Sequence, residues 1–309
     1  MTRSATPRST TPRPSRAAGK YVYRATASPQ DAARWTRRRI IATNLRTMVG
    51  RAYPRVIGLK REPSWLFFEL VLPFLTTSAF VFVYRALQAP PEFIGFAVLG
   101  GAMTAFWSNV IWTMGVQLYW EKDQGNLDLY FSAPISLMSV LFGMASGSLV
   151  ASCLRAAIVL LVGALLYGVS FAVNDWLLLG GVFALTLTAL YGFGMILASL
   201  FVLWGREAYH LTNALQEPVY FVSGLNFPVA RLGALGAMAV AIIPLAVGLD
   251  AMRQLAFSGS VATAGVLSAG QEALVLVGMT VIFVAIARFS LRKMEWLARN
   301  EGRLTLRAN

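Results

Sequence analysis

Residues 117–137 read QLYWEKDQGNLDLYFSAPISL, a short polar passage carrying Glu121, Lys122, Asp123 and Asp128 between two long apolar runs. The chain around it is oily. Of 309 residues, 57% are apolar and 13% charged, and the mean hydropathy is +0.60. A soluble fold of this size needs more polar surface, so composition selects a polytopic membrane protein. The polar passage then stands out as the place where such a protein meets a partner in water.

The net charge of +13 raises the question of nucleic acid, but the Lys and Arg residues gather near the two ends and in short hydrophilic segments. That distribution is membrane topology rather than a basic binding domain, and no nucleic-acid partner is expected. Cys153 is the single cysteine, which excludes an intramolecular disulfide; inside an apolar run it reads as a small packing residue. Apolar density begins only near Trp65, too late for a cleavable signal, so the N-terminus is expected in the cytoplasm.

On the N-terminal side of the polar passage, an apolar run at 93–118 is long enough to span a bilayer. A polar loop at 85–92 with Pro90 and Pro91 separates it from a first span at 65–84. Glu69 is the only formal charge in that first span, placed to reach headgroups or a basic partner. Before it, residues 31–62 form an amphipathic interfacial region. Ile40, Ile41, Leu45, Met48, Val49 and Ala52 share an apolar sector there, flanked by Arg37, Arg38, Arg39, Arg46 and Arg51. Pro54 is expected to divide or redirect this helix. Residues 1–30 read as a disordered basic cytoplasmic tail.

On the C-terminal side, a third span at 138–169 is longer than one crossing requires and is interrupted by Arg155. Gly143 and Gly147 in it have the GxxxG spacing that permits close helix contact. A fourth span covers 176–203. The stretch 205–218, GREAYHLTNALQEP, should be internal, and its His210 has no neighbours at metal-ligand spacing. A short fifth apolar stretch at 211–225 overlaps Asn213, Glu217 and Pro218. Residues 223–257 are broken by Pro228, Pro244, Asp250 and Arg253, which favours short, partly inserted helices at the outer face. A last span at 273–289 is followed by Arg292 and Lys293, which belong inside, and 294–309 reads as a cytoplasmic tail. Six crossings with both termini inside close the arithmetic, making 63–293 one transmembrane domain.

Three passages together resemble the membrane permease of ABC-2 (type V fold) bacterial ABC exporters, whose members move drugs, lipids or cell-surface polysaccharides. They are EKDQGNLDLYFSAP at 121–134, REAYHLTNALQE at 206–217 continued by Pro218 and SGLNFP at 223–228, and IIPLAVGLDAMR at 243–253. The resemblance covers about residues 35–295 and rests on the order of these passages against the spans. It implies an all-α polytopic membrane protein with an N-terminal interfacial helix, a cytoplasmic coupling helix and short re-entrant outer helices before the last span.

The same resemblance makes Glu121, Gly125, Leu127, Leu129, Ser132 and Pro134 the coupling region seated in a groove of an ATPase. Asn126 and Asp128 make the turn more polar than many family examples. Arg206, Glu207, Asn213, Glu217 and Pro218 become a cytoplasmic gate or the entrance to the fifth span. Pro228, Pro244, Asp250 and Arg253 become the outer re-entrant region, and Glu69 and Arg155 are candidates for intramembrane polar roles. The sequence contains no GxxxxGK[ST] loop and no nucleophile–base constellation, so no catalytic site or cofactor is expected in this chain.

Mg-ATP would be held by two separate ABC ATPase subunits, and the permease would pair with a second copy of itself in the lipid of a bacterial inner membrane. Trp107, Trp112, Phe193 and Trp204 are compatible with an amphipathic cargo, and equally with aromatic packing. An ion-gradient-driven secondary transporter and a non-transporting membrane scaffold remain as rival readings. Against the first stand the lack of a clear repeat and the small number of intramembrane charges.

Overall fold

The computed structural model describes residues 37–61, 63–133, 135–204, 207–257 and 267–301, and every regular element among them is helical. Helix α1, Arg37–Arg61, runs unbroken through Pro54, so of the expected division or redirection the division does not occur. The carbonyl that Pro54 leaves without a donor is that of Gly50, an exposed residue that can bond water or a headgroup instead. Helix α2 is Pro63–Ala86. Helix α3, Pro91–Ser108, continues through a π-helical turn, Asn109–Gly115, into α4, Gln117–Asp123, with only Val116 between. The first seven residues of the polar passage therefore finish a spanning rod rather than begin a loop.

Gly125 then turns the chain with φ of +77°, a left-handed conformation costly for any residue with a Cβ. It starts α5, Asn126–Ser132. Helix α6, Leu137–Tyr167, is capped by the Ser136 hydroxyl, which accepts from the Ser139 N–H at 3.1 Å. Helix α7 is Trp176–Trp204 and α8 is Glu207–Val222. A 3-10 turn, Val229–Leu232, leads to α9, Gly233–Val240, then α10, Pro244–Ala256, and α11, Ala269–Glu301. Helix α11 extends beyond residue 293 and buries Met294.

Among the described residues five helices are long and apolar enough to cross a membrane: Phe67–Ala86, Pro91–Asp123, Leu137–Tyr167, Trp176–Val202 and Ala269–Leu297. The stretch expected as the fifth of six crossings is α8, only 16 residues long. At the helical rise this is about 24 Å, short of a hydrocarbon core of about 30 Å. The apolar windows of Pro91–Asp123 and Trp176–Val202 are 83% and 67% buried, against 17% for Phe67–Ala86, so α3 and α7 form the centre and α2 the periphery. Helix α11 packs along α7, α6 along α3, and α10 is inserted among α7, α11 and α3.

Trp107, 1% exposed, stacks on Phe193 with ring centroids 6.4 Å apart. Those two aromatics therefore pack the core. Cys153, expected as a packing residue, is instead exposed on α6.

Lipid tails are as apolar as a leucine side chain, so helices in a bilayer are held together by close approach more than by leaving water. The GxxxG of α6 provides this against α1. A Cβ on Gly143 would lie 2.6 Å from the Met48 carbonyl oxygen, and one on Gly147 would lie 2.6 Å from that of Ala52. The apolar sector of α1 is thereby divided: Met48 and Ala52 meet α6, while Ile40, Ile41, Leu45 and Val49 stay exposed. A Gly143→Leu variant is expected to lose about 1–3 kcal/mol to overpacking. A lower unfolding midpoint in detergent and loss of a cysteine cross-link between α1 and α6 would report it; an intact cross-link would show that the seam tolerates the bulk.

Candidate functional site

The polar passage folds into a short helical hairpin, α4 to α5, whose residues divide between an inner and an outer side. Glu121 is 6% exposed, and its carboxylate is the hub of the inner side. Arg51 Nη2 of α1 donates to Glu121 Oε1 at 2.6 Å, and Tyr130 Oη donates to Oε2 at 2.6 Å. Asn126 Nδ2 donates to Oε2 at 2.9 Å and Gln117 Nε2 to Oε1 at 3.2 Å. Arg51 also bonds the Tyr130 hydroxyl and lies over its ring, 5.0 Å from the centroid. Burial first, and the Glu121 carboxylate second, hold the Tyr130 phenol above its ordinary pKa, so it remains a donor at neutral pH.

Three elements, α1, α4 and α5, are thus fastened at one carboxylate. Leu127, 2% exposed, fastens the other edge of the hairpin among Met114, Leu118, Leu137, Met195 and Leu291. Lys122 Nζ donates to the Val202 carbonyl of α7 at 3.1 Å. The start of α6 is tied in as well: Leu137 N–H donates to Glu295 Oε1 of α11 at 2.6 Å, and Ser136 N–H to Asn44 Oδ1 of α1 at 3.2 Å. The outer side carries Asp123, Gln124, Gly125, Leu129 and Ser132, all exposed, with Leu129 at 67%. Pro134 lies outside the described residues, as does the side chain of Asp128.

Sequence reasoning placed Glu121 and Leu127 together with Leu129 and Ser132; the fold separates them onto opposite sides. It also missed Arg51, read as a basic flank of the interfacial helix, and Tyr130. The available signal was the i, i+4 pair Arg51 and Arg55 on α1, set apart from the exposed Ile40 and Ile41.

A second cluster lies among α2, α3, α6 and α8. Arg155 Nη1 is paired with Glu69, and its Nη2 donates to Ser152 Oγ at 3.0 Å. The pair edges a cavity of about 520 Å³ also bordered by Thr77, Ser108, Gln216, Glu217 and Tyr220. Trp112 Nε1 donates to Gln216 Oε1 at 2.6 Å, and the Ser108 and Tyr220 hydroxyls are 2.9 Å apart. Asn213 and Pro218 are exposed on α8. Arg206 and the Glu207 side chain lie outside the described residues.

The third group is at the other end of α3. Pro228 precedes the 3-10 turn and Pro244 is the first residue of α10. Asp250 and Arg253, expected to break the apolar stretch, instead sit inside α10 and are 6% and 1% exposed. Arg253 is tolerated there because its guanidinium donates to three backbone carbonyls, those of Phe96, Leu225 and Phe227, each at 3.1 Å. Among the described residues no group of three His, Cys, Asp or Glu side chains is placed to hold a metal ion.

Comparison with curated proteins returns no match. A family model described as ABC-2 type transporter matches residues 47–257, which include the α4–α5 hairpin, the Glu69–Arg155 cavity and the Arg253 cluster. Because the match takes in well over half of the 309 residues, the chain belongs to the ABC-2 type transporter family, as a membrane-embedded permease subunit that is itself non-catalytic.

Proposed function

We propose that this permease is the membrane half of an ATP-driven exporter, working with a second copy of itself and two ABC ATPase subunits that hold Mg-ATP. The exporter would move an amphipathic drug, lipid or lipid-linked polysaccharide across a bacterial inner membrane. The observation that carries the reading is the two-sided hairpin: Leu129 and Ser132 are presented outward, while Glu121 and Leu127 bind the same hairpin to α1 and the core. A partner pressing on the outer side displaces a fastened unit rather than a loose turn, so its motion reaches the ends of α4, α6 and α11. Glu121, Gly125 and Leu127 shape and hold the hairpin; Leu129, Ser132 and Pro134 form the contact.

In this reading α8 completes the sixth crossing together with residues 223–228, and α9 and α10 are the re-entrant outer helices. The chain is then divided as a tail at 1–30, an interfacial region at 31–62, a permease domain at 63–293 and a cytoplasmic tail at 294–309. Glu207, Asn213, Glu217 and Pro218, with Arg206, stand at the inner entrance to α8. Both termini are expected to react with an impermeant label only after the membrane is opened. A terminus labelled in intact cells would remove the even number of crossings.

Co-purification with an ATPase, substrate-stimulated hydrolysis and ATP-dependent transport in vesicles test the function. Transport that persists without the ATPase and collapses with an ion gradient would replace it with the secondary-transporter reading. Leu129→Asp is expected to abolish ATPase association while shifting stability by no more than about 0.5 kcal/mol, as surface substitutions do. Undiminished association would place the contact elsewhere.

A further inference from the structure

The cavity beside the Glu69–Arg155 pair is bordered mainly by acids and hydroxyl acceptors, with the amides of Gln216 and Asn226 also on its edge. Thr76, Thr77 and Thr104 each donate their hydroxyl hydrogen to a carbonyl of their own helix, those of Leu72, Pro73 and Gly100 at 3.1, 2.8 and 3.1 Å. The remaining hydroxyl valence is lone pairs, so all three threonines offer the cavity acceptors rather than donors. The indole N–H of Trp112 is spent on Gln216. Arg155, among the described residues the one basic side chain bordering the space, is engaged by Glu69 and Ser152 through its two Nη atoms. Its side chain is 10% exposed, against 28% for Glu69, so the carboxylate of the pair is the more open member.

Glu217 adds a second carboxylate to the border, and among the described residues no cation pairs with it. Among the described residues, two acids and one occupied base give the cavity border a formal charge of −1. The rings of Phe80, Tyr220 and Phe221 supply apolar faces that attract a cation through their quadrupoles. An anion entering this space meets two carboxylates and three acceptor oxygens. A cationic head meets complementary groups on α2, α3 and α8, where Glu69, the threonines and Glu217 stand.

We infer that the cavity among α2, α3 and α8 is a binding site for an amphipathic amine in its protonated form, with Glu217 as counter-ion and the threonine hydroxyls accepting from the ammonium. This narrows the cargo of the exporter and rests on that reading, but binding can be measured without the ATPase. A quaternary ammonium shares the charge and lacks the N–H donors, so it satisfies Glu217 and leaves the threonines unused.

The test uses the full chain in phosphatidylcholine nanodiscs with N-dansylcadaverine, whose fluorescence rises on entering an apolar site and can be excited by transfer from tryptophan. The comparison ligands are its neutral N-acetyl derivative and the anionic dansyl-aminohexanoate. Preference for the amine over the acetyl derivative by at least about tenfold is expected, the scale of one charge-assisted hydrogen bond. Glu217→Gln should erase the preference and Glu217→Asp retain most of it.

Thr104→Val, which leaves every charge in place, should weaken the amine by about two- to threefold and leave the acetyl derivative unchanged. Equal binding of amine and acetyl derivative to the native chain overturns the assignment, as does a Glu217→Gln protein that keeps the preference. If the amine fails to bind while an ATPase still couples to the chain, the cargo assignment falls and the exporter stands. If the amine binds through Glu217 and no ATPase couples, the reverse holds.

Discussion

Glu121→Gln is expected to lower the stability of the permease by about 2–3 kcal/mol and, in the proposed exporter, to uncouple it from the ATPase. Glutamine keeps the shape and loses the charge, so Arg51 is left as a cation whose partner is gone. Tyr130 and Asn126 are then hydrogen-bonded to a neutral amide. Hydrogen bonds to charged groups contribute about 1.5–3 kcal/mol each, and an unpaired buried charge costs more. The Arg51 side chain retains 32% exposure, which places the loss at the low end of that range. A double-mutant cycle between Arg51→Met and Glu121→Gln, read by unfolding in detergent, should show a coupling of at least about 1 kcal/mol. Additive effects would mean that the ion pair does not hold α1 to the hairpin. Together with Leu129→Asp, the variant separates fastening from contact: the first loses stability and coupling, the second coupling alone.

Arg253→Met should be the most destabilising single change, about 3–5 kcal/mol. It removes the donors of three backbone carbonyls at once and takes away the positive neighbour of Asp250. The loss matters to the fold because two of those carbonyls belong to the bend at residues 225–227, which lies outside any helix. Backbone packing there is already tight: a Cβ on Gly100 would lie 1.5 Å from the Leu225 carbonyl oxygen. Arg253→Lys should recover only part of the loss, since one ammonium cannot reproduce the planar fork that reaches three acceptors. A thermal midpoint for Arg253→Met equal to that of the native chain would show that water satisfies the freed carbonyls.

The membrane-spanning rods were readable because a bilayer imposes a length on each segment separately. Four of the five long helices sit within a few residues of their apolar runs, and the fifth, α11, differs mainly by continuing past the membrane run as an amphipathic helix against α6. The position of the hairpin was readable for the same reason, as polar residues between two such runs. Its two-sidedness was not. Leu127 and Leu129 are chemically alike and two residues apart, and only the placement of Leu137, Met195 and Leu291 around one of them makes it core. Arg51 and Glu121 are 70 positions apart, too far for any local pattern to pair them. Arg253 and Asp250 looked like interruptions because hydropathy counts a charge as a cost wherever it stands. The carbonyls that offset this cost arrive from residues 26, 28 and 157 positions away.

By itself, then, the sequence determined that the chain is a helical membrane protein, where its long helices lie, and which polar passage separates two of them. These follow from the length and apolarity that a bilayer requires of a contiguous segment. Tertiary structure alone decided which carboxylate meets which guanidinium, which face of the hairpin is exposed, and that Glu69, Arg155 and Glu217 border one cavity. Those outcomes depend on which helices become neighbours, and the low dielectric between them makes each pairing of buried charge decisive.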